Sequence, residues 1–295
     1  MALFKGCGAA MVTPFGRDGQ IDYAVLERYI EHLISNGVSA LLPFGTTGEP
    51  ATITHDEYKK ATEFIIKKVA HRVPVIVGAG SNCTATAAEK AAAVKSFGAN
   101  GALVVTPYYN KCTQNGIVEH YKAVAKAAKL PIIIYNVPTR TCVNIRPETI
   151  ARLAKIDGLV GIKEASGDID QFQDAAKVCH DVGFDLYCGD DSLTTIAMAM
   201  GALGVISVAA NPAPAYMSEL TSLCEKGDFK SARELQFKLN EFIHTLFCEV
   251  NPIPAKKAMQ LLGYDVGSPR LPLTELEPEH VKLLESTMRG VGLIK

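Results

Sequence analysis

Short apolar runs alternate along this chain with longer stretches in which apolar residues recur every three or four positions. The runs predict strands at 7–12, 40–44, 73–77, 101–105, 131–135, 159–163, 184–188 and 204–207. The stretches between them predict amphipathic helices, several with recognisable ends. Asp22 is placed to cap a helix that runs to about residue 36, with Gly37 as its stop. Thr54 with Glu57, and Thr86 with Glu89, have the spacing of capping boxes. Pro147 suits the first position of another helix. Beyond about residue 211 the pattern is purely helical, with helices predicted at 230–247, 254–262 and 278–288.

Eight strand–helix units whose strands are apolar throughout imply a parallel sheet covered by helices. At 295 residues, a closed (β/α)8 TIM barrel is favoured over an open doubly wound sheet. No G-x-G-x-x-G follows the first strand, which speaks against a dinucleotide fold. The α/β barrel is expected to occupy 1–210, its last helix reaching about 226, and 227–295 to form a C-terminal helical extension.

Composition narrows the choice of partners. A net charge of −1 without a basic run makes nucleic acid and anionic membrane poor partners. No apolar stretch approaches the roughly 18 residues of a membrane span, and the N-terminal residues do not read as a signal peptide. The eight cysteines are scattered without a C-x-x-C, and no histidine stands at zinc-ligand spacing. Reduced thiols, a cytoplasmic location and the absence of a metal are the expectations.

In a parallel barrel the chemistry sits where the strands end. Strand two ends in Gly45-Thr46-Thr47-Gly48-Glu49, strand four in Thr106-Pro107-Tyr108-Tyr109-Asn110, and strand five in Tyr135-Asn136-Val137-Pro138-Thr139-Arg140. Strand six ends in Lys163, strand seven in Gly189-Asp190-Asp191, and strand eight in Ile206-Ser207. A lysine has little reason to close a core strand unless its amine has a task. An ordinary lysine is neutral only about once in 2,500 at pH 7, whereas desolvation frees the amine to attack a carbonyl and form a Schiff base. Hydroxyls in series carry the protons such chemistry moves, the Gly45–Gly48 turn suits a carboxylate, and Arg140 offers a planar fork to a second one. The set points to condensation or cleavage on a small 2-oxo acid. Taken singly, each residue also has a plainer reading: a tight turn at Gly45–Gly48, a satisfied core tyrosine at Tyr135, a surface arginine at Arg140, and helix caps at Asp190 and Asp191.

With these motifs in order at matching strand ends, the chain resembles the dihydrodipicolinate synthase family, one of the pyruvate-dependent aldolases that include N-acetylneuraminate lyase. The resemblance covers nearly the whole chain and includes Gly161-Ile162-Lys163-Glu164, Gly204-Val205-Ile206-Ser207 and Asn251-Pro252-Ile253-Pro254. It implies a lyase of lysine and diaminopimelate biosynthesis in which Lys163 forms a covalent imine with pyruvate, with no other cofactor. Tyr135 would shuttle protons at the imine, and Thr46 with Tyr109 would complete a hydroxyl relay, Tyr109 reaching in from a neighbouring subunit. Thr47 would hold the pyruvate carboxylate and Ile206 would contact pyruvate through its backbone, with Gly189 a further substrate-side position. Arg140 would bind the carboxylate of L-aspartate 4-semialdehyde. A homotetramer built as a pair of dimers is implied.

A sister aldolase acting on sialic acid or a keto-deoxy sugar acid shares the lysine and the tyrosine. Thr46-Thr47 and the loop ending in Arg140 favour the synthase, because an aldehyde bearing a carboxylate needs a cation there. A non-catalytic ligand-binding barrel is the alternative of another class. The resemblance also bears on inhibition by lysine. The effector pocket of sensitive relatives is matched at Ala51, His55, Asn82 and Tyr108, but Pro50, Tyr58 and Thr86 stand where serine, histidine and glutamate are typical. Without that glutamate a bound ammonium lacks its partner, so weak or absent inhibition is expected.

Overall fold

The computed structural model of the protein describes residues 2–295. Its element order is β1 (Gly6–Ala10), α1 (Tyr23–Ser35), β2 (Ala40–Leu42), α2 (His55–Val69), β3 (Ile76–Gly78), α3 (Thr84–Ser96), β4 (Gly101–Val105), α4 (Gln114–Ala128), β5 (Ile132–Asn136), α5 (Pro138–Thr141) and α6 (Pro147–Leu153), then β6 (Leu159–Glu164), α7 (Ile169–Val182), β7 (Asp185–Cys188), α8 (Thr194–Ala199), β8 (Gly204–Ser207), α9 (Pro214–Glu225), α10 (Phe229–Thr245), α11 (Ile253–Leu261) and α12 (Pro278–Gly290). All strand pairs are parallel, in the order β2-β1-β8-β7-β6-β5-β4-β3. A parallel bridge between Leu41 and Val75 joins β2 to β3, reinforced by Leu41 N–H to Pro74 O at 3.0 Å and Gly78 N–H to Pro43 O at 2.9 Å. The sheet is therefore a closed TIM barrel.

Side-chain alternation sorts the strand residues into two layers. Ile132, Ile134, Ile162 and Leu186 point outward into the main core beneath the helices. Leu42, Ile76, Leu103, Ile133, Tyr135, Tyr187 and Ile206 point inward. Phe4 plugs the interior by stacking on Tyr187, ring centroids 4.5 Å apart. β5, β6 and β7 place Tyr135 beside Lys163 and Lys163 beside Tyr187 in register. Neighbours in register share a face, so the parity that turns Ile162 outward turns Lys163 into the barrel.

The caps at Asp22 and the box at Thr54 and Glu57 form as read from the sequence. The second predicted box does not. α3 starts earlier, at Thr84 with Cys83 as its N-cap, so Thr86 and Glu89 lie inside the helix. Thr84 is held at that start by its contact with His120 of α4 at 3.0 Å. β3 begins later than its apolar run because Pro74 has no N–H to give a ladder.

α9 packs on β1 and β8, α10 packs on α8, α9 and α12, and α12 packs on α11. α11 and the segment that follows it are fastened to the barrel mouth by charge. Lys256 of α11 meets Glu49 at 2.9 Å with both side chains almost fully buried, and also donates to Ser268 O. The other Glu49 oxygen accepts Arg270 N–H at 2.8 Å. The Arg270 guanidinium grips Glu57, Thr52 O and Gly19 O, and it holds the Glu57 carboxyl down to about 2. Lys256 and Arg270 both lie over the ring of Phe15. No helix among the described residues is long and apolar enough to cross a membrane.

Candidate active site

The strand ends open onto a cavity of about 280 Å³. Lys163 stands on its wall, 5% exposed, with Nζ 4.3 Å from the centroid of the Tyr135 ring. Gly189, after β7, makes room for it. A Cβ there would come within 2.8 Å of Lys163 Cε and 2.5 Å of Ala165 Cβ, so only glycine lets the lysine lie along the strand end.

Outside the barrel, the next residue secures that end. Glu164 is buried and accepts from Asn136 Nδ2 at 2.9 Å and from Ser166 N–H at 2.7 Å. Asn136 in turn bonds Asn144 and Ile145 N–H, and Asn144 bonds Gln171. Burial pushes the Glu164 carboxyl up, against the pull of these donors. The network ties β5, β6 and α7 together under Lys163 and shapes the Ala165–Ser166–Gly167 wall of the cavity.

Thr46–Gly48 forms a single 3-10 turn at the opposite wall, closed by Gly48 N–H to Gly45 O at 2.9 Å. Gly78 beneath it cannot carry a side chain, since a Cβ would lie 1.9 Å from Phe44 O. Thr47 is buried, and its hydroxyl accepts from Asn251 Nδ2 at 3.0 Å. Asn251 O accepts from Arg140 Nη2 at 3.3 Å. Arg140 rides on the short α5 and reaches over the mouth.

Lys163, Tyr135, Thr46, Thr47, Arg140 and Gly189 thus line one cavity. Two candidates are placed elsewhere. Ile206 lies in the interior layer, fully buried, and Val208 takes the wall position on that side. Tyr109 is 88% exposed and is not part of the lining of this cavity, with φ +73°. Asn251 and Phe247 line the site without having been assigned roles from the sequence. Asn251 lies 204 residues from Thr47 and meets it only through folding, and no spacing signals such a meeting. Tyr58, at the effector-pocket position, is buried and donates its hydroxyl to Gly78 O. No cluster of three or more His, Cys, Asp or Glu side chains fit for a metal exists among the described residues, and all eight cysteines are free.

The paired acids after β7 separate in role. Asp190 caps the following turn through Ser192 N–H. Asp191 instead is buried and accepts Val208 N–H at 2.9 Å and Ala209 N–H at 3.0 Å, holding the chain that leaves β8. Burial pushes its carboxyl up to about 6, opposed by the neighbouring Ser207 hydroxyl and those N–H groups. A folded value above the unfolded one means that the folded state binds the proton more tightly. The stability this group contributes is complete below about pH 4 and is lost as pH rises through about 6, amounting to about 3 kcal/mol. Denaturant titrations should show the difference between the protein and Asp191→Asn changing by that order across the window. Parallel curves would contradict the assignment.

The fold and the site define a (β/α)8 barrel with a buried amine facing a polar mouth. The sequence profile of the Dihydrodipicolinate synthetase family matches residues 3–290. The 4-hydroxy-tetrahydrodipicolinate synthase of Thermoanaerobacter pseudethanolicus is 46% identical over 296 aligned positions, covering 100% of this chain and 99% of that one. The protein of the same name from Methanocaldococcus jannaschii is 42% identical, covering 99% and 100%. The crystal structure of dihydrodipicolinate synthase from Thermotoga maritima superposes with a TM-score of 0.97 at 41% identity, covering 99% of this chain and 100% of that one. The chain belongs to the Dihydrodipicolinate synthetase family.

Proposed function

We propose that the protein is a lysine-dependent synthase that condenses pyruvate with L-aspartate 4-semialdehyde to give 4-hydroxy-tetrahydrodipicolinate, in lysine and diaminopimelate biosynthesis. The observation that carries this is the buried Lys163 amine in a cavity whose rim holds Arg140. The amine adds to C2 of pyruvate, and loss of water leaves the imine. A proton lost from C3 gives the enamine, which attacks the aldehyde carbon while the aldehyde oxygen takes up a proton. The amino group of the semialdehyde then adds to C2 and displaces Lys163, closing the ring. The imine is the electron sink, so neither a metal nor a dissociable cofactor is required.

Tyr135, packed against Lys163, moves the protons, with Thr46 on the facing wall of the same cavity. Tyr109 completes the relay in a neighbouring subunit. Its exposure and strained backbone support that reading, because a bulky residue at positive φ persists only where surroundings demand it. Thr47 holds the pyruvate carboxylate, Ile206 meets pyruvate through its backbone, and Gly189 lets the lysine reach it. The assembly is a homo-oligomer, a tetramer of paired dimers, working in the cytoplasm. A relative described as a monomeric dihydrodipicolinate synthase variant has the same fold at a TM-score of 0.97, so sedimentation must read the state. A coupled assay with both substrates, run beside sialic acid cleavage, tests the function. Condensation without cleavage is the expected result, and cleavage alone would assign the sister activity.

Arg140 binds the aldehyde substrate and not pyruvate. Arg140→Ala should cost about 2–4 kcal/mol of affinity for the semialdehyde, the range for a charged, bidentate partner. It should appear as a raised KM for that substrate with little change for pyruvate. Equal effects on both would contradict the role.

A further inference from the structure

We propose that Asp190 is a specificity-determining residue that binds the ammonium group of the second substrate, an inference that rests on the function proposed above. Three charged side chains line the cavity: Lys163, Arg140 and Asp190. L-aspartate 4-semialdehyde brings a carboxylate and an ammonium on one carbon, with the aldehyde two bonds further on. Arg140 answers the carboxylate and Lys163 carries the enamine that meets the aldehyde. The ammonium needs an anion in a partly dry site, where an unpaired charge is penalised, and among the described residues Asp190 is the one acidic residue on the wall.

The placement agrees with that demand. β5, β6 and β7 are neighbours in the barrel. Arg140 follows β5, Lys163 ends β6 and Asp190 follows β7. The elements that carry the cation and the anion therefore lie on either side of the strand that ends in the reacting lysine. Asp190 comes directly after Gly189, whose own position abuts Lys163 Cε and whose N–H is fixed to Glu164 O at 2.8 Å. One Asp190 oxygen, Oδ1, takes both Ser192 N–H at 3.0 Å and Ser192 Oγ at 2.8 Å. Oδ2 has no hydrogen-bond partner among the described residues. The cap thus fixes the carboxylate through one oxygen and leaves the other without a protein partner. A ligand held at both charges has the aldehyde aimed at Lys163 in one hand only, so the pair also selects the L-configuration.

Asp190→Asn keeps an oxygen for the Ser192 cap and removes the charge. In a steady-state assay, KM for L-aspartate 4-semialdehyde should rise about 10- to 100-fold, the effect of losing one charge-assisted hydrogen bond. KM for pyruvate and the yield of borohydride-trapped pyruvate on Lys163 should be unchanged. Succinic semialdehyde has the carboxylate and aldehyde without the amine. Its inhibition constant against the natural aldehyde should be the same for both proteins. Ser192→Ala weakens the cap but leaves the charge, and should keep KM near that of the parent. A rise in the pyruvate KM or in the succinic semialdehyde constant, or a Ser192→Ala effect as large, would make Asp190 merely structural and overturn the inference. An unchanged KM in Asp190→Asn would do the same while leaving the synthase function standing. Failure of the parent protein to condense the two substrates, with the Lys163 adduct still forming, would remove the function itself and the inference with it.

Discussion

Lys163→Ala is expected to lower turnover by several orders of magnitude while leaving the fold intact. The amine is the nucleophile of the proposed reaction, and no other lysine lines the cavity, so no neighbour can take its place. Residual activity would come from positioning alone. The fold should survive because Lys163 makes no ion pair and packs mainly against the Tyr135 ring, so alanine removes a group whose burial is not itself stabilising. The identifying measurement is chemical. Borohydride added with pyruvate should reduce the imine to a stable secondary amine on the Lys163 peptide, read by mass spectrometry. Label on another peptide, or none, would displace Lys163 from its role. Gly189→Ala should echo part of the loss, since its Cβ would press on Lys163 Cε.

The largest stability loss is expected at the buried ion pair behind the Thr46–Gly48 turn. Lys256→Ala should destabilise the protein by about 3–5 kcal/mol, the range for breaking a buried pair and leaving one charge uncompensated. Glu49 would keep only Arg270 N–H. The pair is not stabilising in its own right: burial lowers the Lys256 amine below its usual range, and Glu49 restores only part of that. A double variant, Lys256→Met with Glu49→Gln, should therefore recover much of the loss. Urea midpoints for the two variants check this. A double variant as weak as the single one would show that packing at α11, and not the orphaned carboxylate, sets the penalty. Glu49 adjoins the Thr46–Gly48 turn, so the single variant should also bind pyruvate less well.

The barrel was legible because its strands are apolar on both faces and its turns carry strong signals. Six of eight candidate residues fall on one cavity because strand ends converge in this fold. What escaped notice depends on tertiary contact. The S/T-x-x-E spacing at Thr86 is the same as at Thr54, but Thr84 finds His120 and the helix starts there instead. Asp190 and Asp191 look alike in sequence, yet one faces the mouth and the other is drawn under β8. Asn251 stood in a recognised motif, but its contacts with Thr47 and Arg140 span 204 and 111 residues. α5 is four residues long, too short for periodicity to announce.

The fastening at Glu49 has a consequence for how the chain is made. Its partners Lys256 and Arg270 lie 207 and 221 residues downstream, and the Asn251 amide that seats Thr47 lies 204 residues downstream. At ordinary ribosome speeds of about 5–20 residues per second, the first strands wait roughly 10–40 s before these groups emerge. During that interval the glutamate destined for the interior has no cation to meet, so the mouth of the barrel stays open in the nascent chain. Assembly of the catalytic wall is thereby placed among the last events of synthesis, and a polypeptide released early carries the lysine without the walls that would make it reactive.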